Sequence, residues 1–182
     1  RIDITCEVSE MASMMAMPRE GHLDQLYHIF AYLKGKHNAE MVFDPTEPIF
    51  DKSCFKHEDW SHTVYTNATE KIADNMPLPQ GIGFTIRAYV DADHAGNVVT
   101  RRSQTGILIY VNNAPIIWYT KKQNTVEAAT YGSEFVAARI SVDLAEGLLY
   151  KLRMFGVAID GPSSVFYDND AVYKTLYYPS LH

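Results

Sequence analysis

Ile86-Arg87-Ala88-Tyr89-Val90-Asp91, then Gln104-Thr105-Gly106-Ile107-Leu108-Ile109-Tyr110-Val111, then Ala114-Pro115-Ile116-Ile117-Trp118-Tyr119 is the stretch that decides the fold. Each run is rich in β-branched and aromatic residues and bounded by polar or turn-forming ones, which predicts three strands. Asn112-Asn113 separates the second from the third, and asparagine tolerates the positive φ that a tight hairpin demands. Downstream, Phe135, Ala138, Val142, Ala145, Leu148, Leu152 and Phe155 recur every three or four residues. That spacing predicts a long helix packed on this row. Gly156 is placed to stop it, and Gly161-Pro162 to turn the chain. Ser164 to Asp168 reads as a fourth strand and Asn169 to Tyr177 as a short helix. The order β-β-β-α-β-α predicts an α/β fold, a mixed sheet with helical cover.

Upstream the pattern differs. Leu23, Leu26, Tyr27, Phe30 and Leu33 fall at helical spacing, with Pro18-Arg19-Glu20 opening the segment and Gly35 near its end. The Met- and Ala-rich stretch Val8 to Met17 reads as a core-facing helix, and Ala39 to Phe43 as a short strand. Residues 44–83 carry prolines and scattered acids with no sustained period, so a junction between domains is expected there. The expected organisation is a helical segment at 1–43, an irregular acidic connection at 44–83 and a sheet domain at 84–182.

Over 182 residues, 47% are hydrophobic and 21% charged, which excludes a wholly disordered chain. No apolar run approaches the ~18 residues of a membrane span. The first residues, Arg1-Ile2-Asp3-Ile4, lack an initiator Met and a signal-peptide pattern, and read as an excised or truncated start. Cys6 and Cys54 are far apart and without metal-like spacing, which argues against a disulfide framework and for a reducing compartment. The net charge is −6, yet it is uneven. Glu40 to Asp74 holds eight acids against three bases, whereas Arg87 to Lys122 holds five bases (Arg87, Arg101, Arg102, Lys121, Lys122) against two acids. A polyanion docking on one face responds to that local field rather than to the total; the plainer alternative is a solvated loop surface.

The topology can be followed for direction. If the first strand points up, the hairpins send the second down and the third up, and the long helix starts at the top. A right-handed crossover then seats the fourth strand parallel to the first. Asp91 ends the first strand, Glu134 lies in the first turns of the helix, and Asp168 ends the fourth strand. All three are expected at one edge, where the carboxyl ends of parallel strands gather ligands. Such a trio repels itself unless a cation intervenes. Oxygen ligands suit Mg²⁺ or Mn²⁺, and two such ions about 4 Å apart serve in-line displacement at phosphorus. Separate surface acids are the alternative.

Tyr89-Val90-Asp91-Ala92-Asp93-His94-Ala95-Gly96, then Arg101-Arg102-Ser103-Gln104-Thr105-Gly106, resembles the opening of the ribonuclease H domain of copia-type retrotransposon polyproteins. Pro115-Ile116-Ile117-Trp118, Lys121-Lys122-Gln123-Asn124-Thr125-Val126-Glu127, Gly132-Ser133-Glu134-Phe135-Val136-Ala137 and Val165-Phe166-Tyr167-Asp168-Asn169 continue the series. The start of the chain, with Met17-Pro18-Arg19-Glu20-Gly21-His22 and Tyr32-Leu33-Lys34, resembles the end of the reverse transcriptase region. The resemblance implies a ribonuclease H-like fold and hydrolysis of the RNA strand of an RNA–DNA hybrid with two Mg²⁺ ions (Mn²⁺ as a substitute). It implies Asp91, Glu134 and Asp168 as catalytic metal ligands. It also implies the reverse transcriptase and other parts of a polyprotein as partners, no membrane, and an intracellular setting in a cytoplasmic particle or nucleus. The family's domain carries a fourth ligand in a later block, and Tyr177 to His182 offers no acid to match it. A C-terminally incomplete sheet and slow or absent cleavage are therefore expected.

Arg101, Arg102, Lys121 and Lys122 are candidates for holding phosphates of the hybrid, with Ser103 and Gln104 as polar contacts at the sugar edge. Asp93 reads as a solvent-facing or supporting acid and Asp170 as a helix-start charge. Trp118 and Tyr119 read as core and rim. The seven histidines (His22, His28, His37, His57, His62, His94, His182) show no zinc-like pairing; His94 is a loop residue or a proton carrier beside the metals. Two other functions share these residues: a non-catalytic remnant of the fold acting as a binding or connection module, and a metal-dependent phosphatase.

Overall fold

The structure is a computed structural model that describes residues 1–49, 51, 53, 61 and 72–177. Cys54, His57, His62 and His182 lie outside the described residues. A 3-10 turn (Ile2–Ile4) leads into helices α1 (Thr5–Ser13) and α2 (Glu20–Gly35). Strands β1 (Gln80–Phe84), β2 (Ile86–Ala92), β3 (Gln104–Val111) and β4 (Ala114–Lys122) follow. Helix α3 (Thr130–Met154), strands β5 (Val157–Ile159) and β6 (Ser164–Phe166), and helix α4 (Asp170–Tyr177) complete the order. The four-stranded sheet runs β4-β3-β2-β6, antiparallel through both hairpins, with β2 and β6 parallel. This is the expected α/β mixed sheet, consistent with a ribonuclease H-like fold. At the β3–β4 turn Asn112 adopts φ 53°, the conformation its side chain tolerates.

Two elements were not expected. Gln80–Phe84 and Val157–Ile159 pair in parallel as a separate two-stranded sheet. The sheet structure thus begins inside the stretch read as an irregular connection. Gly156, at φ +70°, turns the chain out of α3, and its carbonyl accepts from the Gln80 N–H at 2.9 Å. A short strand read in isolation carries too little periodicity to be recognised; pairing across 73 residues of sequence defines it. Conversely, Ala39–Phe43 is not a strand, for among the described residues no strand pairs with it.

The core lies between β2, β3 and one face of α3. Ile86, Ala88, Val90 and Ala92 alternate inward on β2, Ile107 and Ile109 on β3, and Ala137, Ala145 and Leu148 meet them from the helix. The buried residues of α3 are Ser133, Glu134, Ala137, Ala138, Ser141, Ala145 and Leu148, so Ala138, Ala145 and Leu148 of the expected row do face inward. The bulkier Phe135, Val142 and Phe155 of the expected row are exposed. Small side chains four apart let the helix lie close on the sheet, and that rotation carries Glu134 inward. The N-terminal helices also depart from expectation. Both bury no residue: Met15 and Met17 are exposed, as are Leu23, Tyr27 and Phe30. Their spacing is helical, but among the described residues the apolar face of α2 stays exposed.

Candidate metal centre

Asp91 is the sixth residue of β2, and alternation turns it away from the core. Glu134 occupies the second turn of α3, and Asp168 follows two residues after β6. One carboxylate oxygen from each lies within 4.8 Å of the others. Three segments separated by 43 and 34 positions therefore converge because β2 and β6 are parallel and α3 crosses between them. Asp91 and Asp168 face solvent, whereas Glu134 is 5% exposed.

Glu134 feels this arrangement most. Burial first, then the charges of Asp91 and Asp168, raise its carboxyl to about 7, against a hydrogen bond from the Ala92 backbone that favours the ionised form. Its Oε2 is buried and has no hydrogen-bond partner. A buried acceptor left unmatched costs free energy that a cation on its open side recovers. Three oxygen donors, one of them orphaned and two open to solvent, fit a hard divalent ion such as Mg²⁺ or Mn²⁺.

A brace sets the start of α3. Gln123 is buried; its Nε2 donates to Thr105 Oγ1 at 3.0 Å and to the Ser133 carbonyl at 2.8 Å. It ties β3 to the residue before Glu134. Nothing in periodicity singles this glutamine out; the sequence signals are its position just after a strand and its place in the Lys121 to Glu127 block.

The β2–β3 loop is also built rather than loose. Gln104 N–H donates to Asp93 Oδ1, and Asp93 N–H donates to the Gln104 carbonyl at 3.1 Å. Asp93 is thus a loop brace, exposed on its outer side. A Cβ at Gly96 would sit 1.8 Å from Asp93 Oδ2, so only glycine fits beneath this carboxylate. Ser103 is the residue read from the sequence as a polar contact at the sugar edge. It is 1% exposed, and its Oγ accepts from the Ala95 N–H at 3.0 Å. A side chain committed inside the loop has no reach to a sugar, so its role is to hold the turn in which Ala95 takes φ 52°. Arg101 and Arg102 are exposed at the loop's outer end, Lys121 is exposed, and Lys122 is half-buried at the end of β4.

Arg87 leaves this group. It is 8% exposed at the opposite end of β2, where it donates to the Asn112 carbonyl and Asn113 Oδ1 and lies over Tyr110. His94 is half-buried with Nδ1 buried and without a partner. Asp170 does open α4, pairing with Lys174 at 2.5 Å, while Asn169 Oδ1 caps the Ala171 and Val172 N–H groups. Trp118 is half-exposed, and Tyr119 packs against the core.

A mixed sheet with two carboxylates at the ends of its parallel strands and a third on the helix that crosses between them defines the class: an α/β protein with a candidate divalent-metal site. Among known proteins, the chain is similar to retrovirus-related Pol polyproteins of copia-type transposons. It is 25% identical over 169 residues to that of transposon RE1 of Arabidopsis thaliana and 23% identical to that of RE2 of the same plant, each match covering 93% of this chain. It is 24% identical over 138 residues, 76% of the chain, to that of transposon TNT 1-94 of Nicotiana tabacum. The chain spans 8–9% of the length of these relatives. No family model and no solved structure matches it. Among the described residues no helix is long and apolar enough to cross a membrane.

Proposed function

We propose that this chain is the ribonuclease H module of a retrotransposon polyprotein, hydrolysing the RNA strand of RNA–DNA hybrids. The observation that carries the reading is the carboxylate trio with its buried, unpartnered Glu134 oxygen. Asp91, Glu134 and Asp168 would hold the metal. When bound, divalent ions supply an activated water and neutralise charge at the leaving oxygen. The protein's own share is positional. Asp91 and Asp168 offer carboxylate oxygens on the solvent side, where a phosphodiester approaches. Glu134, with a carboxyl that titrates near 7, loses its proton when the cation arrives. Arg101, Arg102, Lys121 and Lys122 supply phosphate contacts that add affinity without sequence choice. The similarity to Pol polyproteins supports other polyprotein segments, a reverse transcriptase among them, as partners.

The test is cleavage of an end-labelled RNA–DNA hybrid across Mg²⁺ and Mn²⁺ titrations, with Asp91→Asn as the blank. Cleavage of the RNA strand that the blank lacks supports the reading. Hybrid binding without cleavage in either metal assigns the chain to a non-catalytic binding module instead. Hydrolysis of a small phosphoester with no preference for hybrids assigns it to the phosphatase class.

A further inference from the structure

Helix α1 lies across the outer face of the four-stranded sheet, on the side toward which Asp91 points. Ser9 Oγ donates to the Thr120 carbonyl at 3.5 Å and accepts from Gln104 Nε2 at 3.3 Å. Lys122 Nζ donates to Ser13 Oγ at 3.1 Å. Between helix and sheet runs an open cleft of about 470 Å³, walled by Ile2, Thr5 and Cys6 on one side and by Asp91, Asp93 and Trp118 on the other.

Two features make this seat unlike ordinary packing. The helix buries no residue fully, with Thr5, Ser9 and Met11 only half-buried, and a nine-residue helix is marginal without firmer support. Its charge also complements what it covers. Glu7 and Glu10 are its only charged residues, and it lies against the end of β4 that carries Lys121 and Lys122. Through the Ser13 hydroxyl the helix thus engages Lys122, a cation that the reading above assigns to phosphate.

We infer that α1 is a displaceable acidic lid, which competes with nucleic acid for the Lys122 end of the sheet and for the cleft leading to Asp91. The inference rests on the hybrid-binding reading above and adds a means of regulating it. A weakly seated lid lowers apparent affinity by the fraction of molecules in which it is closed. A long polyanion that pairs with several cations at once displaces it, whereas a short one does not.

The lid can be locked with a cysteine already present. Cys6 of α1 and Thr120 of β4 line the same cleft, so Thr120→Cys in a Cys54→Ser background offers one partner for a disulfide. Diamide as oxidant takes up the two electrons and two protons released by the thiols. Binding of a fluorescent RNA–DNA hybrid is read by anisotropy in EDTA, which separates the lid from any metal effect. The reduced protein is expected to bind, the oxidised protein to bind about tenfold or more weakly, and dithiothreitol to restore the affinity. Ser9→Pro, which breaks α1, should tighten binding about threefold or more. Equal affinity in both redox states, a disulfide that does not form, or Ser9→Pro without tightening each overturns the lid while leaving hybrid binding intact. Failure of the reduced protein to bind the hybrid overturns the functional reading, and the lid with it.

Discussion

Replacing Glu134 by glutamine removes one charge from the carboxylate trio and keeps the side chain's shape. In the metal-free protein the Glu134 carboxyl titrates near 7, against an ordinary 4.5 in the unfolded chain. Between those values the folded state binds the extra proton, so stability falls as pH rises from about 4.5 to about 7 and is level beyond. At 1.36 kcal/mol per pK unit the full window amounts to about 3 kcal/mol, and solvent around Asp91 and Asp168 screens it to about 2–3 kcal/mol. For a chain of this size that corresponds to a melting temperature about 5–10 °C lower at pH 8 than at pH 5 from this group alone. Glu134→Gln should lack that component, so the difference between the two proteins, not either curve, is the quantity to measure. The assay is urea unfolding followed by far-UV circular dichroism in EDTA at steps between pH 4.5 and 8.5. At pH 8, Mn²⁺ or Mg²⁺ at about 100 times its dissociation constant should return about 2.7 kcal/mol to the native protein and much less to the variant. Parallel pH curves, or equal metal stabilisation, would refute both the electrostatic account of Glu134 and its role as ligand.

Hybrid affinity should fall steeply with salt, and Arg102→Ala or Lys122→Ala should each shallow the log–log slope by about one; an unchanged slope places that residue outside the interface. Gln123→Ala leaves Thr105 and the Ser133 carbonyl without their buried donor, at a cost of about 1–3 kcal/mol. It should also reduce Mn²⁺-induced thermal stabilisation, since Glu134 follows Ser133 in the helix; loss of stability with full metal response limits Gln123 to a structural role. Gly96→Ala puts a methyl into Asp93 and should destabilise by about 1–3 kcal/mol, with accelerated proteolysis between Asp93 and Ser103. A neutral outcome means that the loop yields without cost.

Much of the candidate site is legible in the sequence. Asp91, Glu134 and Asp168 sit at element ends, and element order with the handedness of crossovers dictates which ends meet. Strands β2, β3 and β4 were legible for a related reason, because hairpins pair neighbours in sequence and alternation marks their inner face. Packing decided the rest. Which residues of α3 face the sheet depends on how close the helix can approach: Ala138, Ala145 and Leu148 of the expected row are buried, while Ser133, Ala137 and Ser141 take the places of Phe135, Val142 and Phe155. The β1–β5 pair has no local signal, because parallel partners are distant in sequence. Ser103 and Arg87 are polar residues whose burial depends on neighbours folding around them. The shift of Glu134 toward neutrality was likewise invisible, since it needs two other carboxylates and a dry pocket brought together by the fold. Chemistry-bearing residues and their order belong to the chain alone, whereas distance, burial and proton affinity exist only once three separate segments share one edge of a sheet.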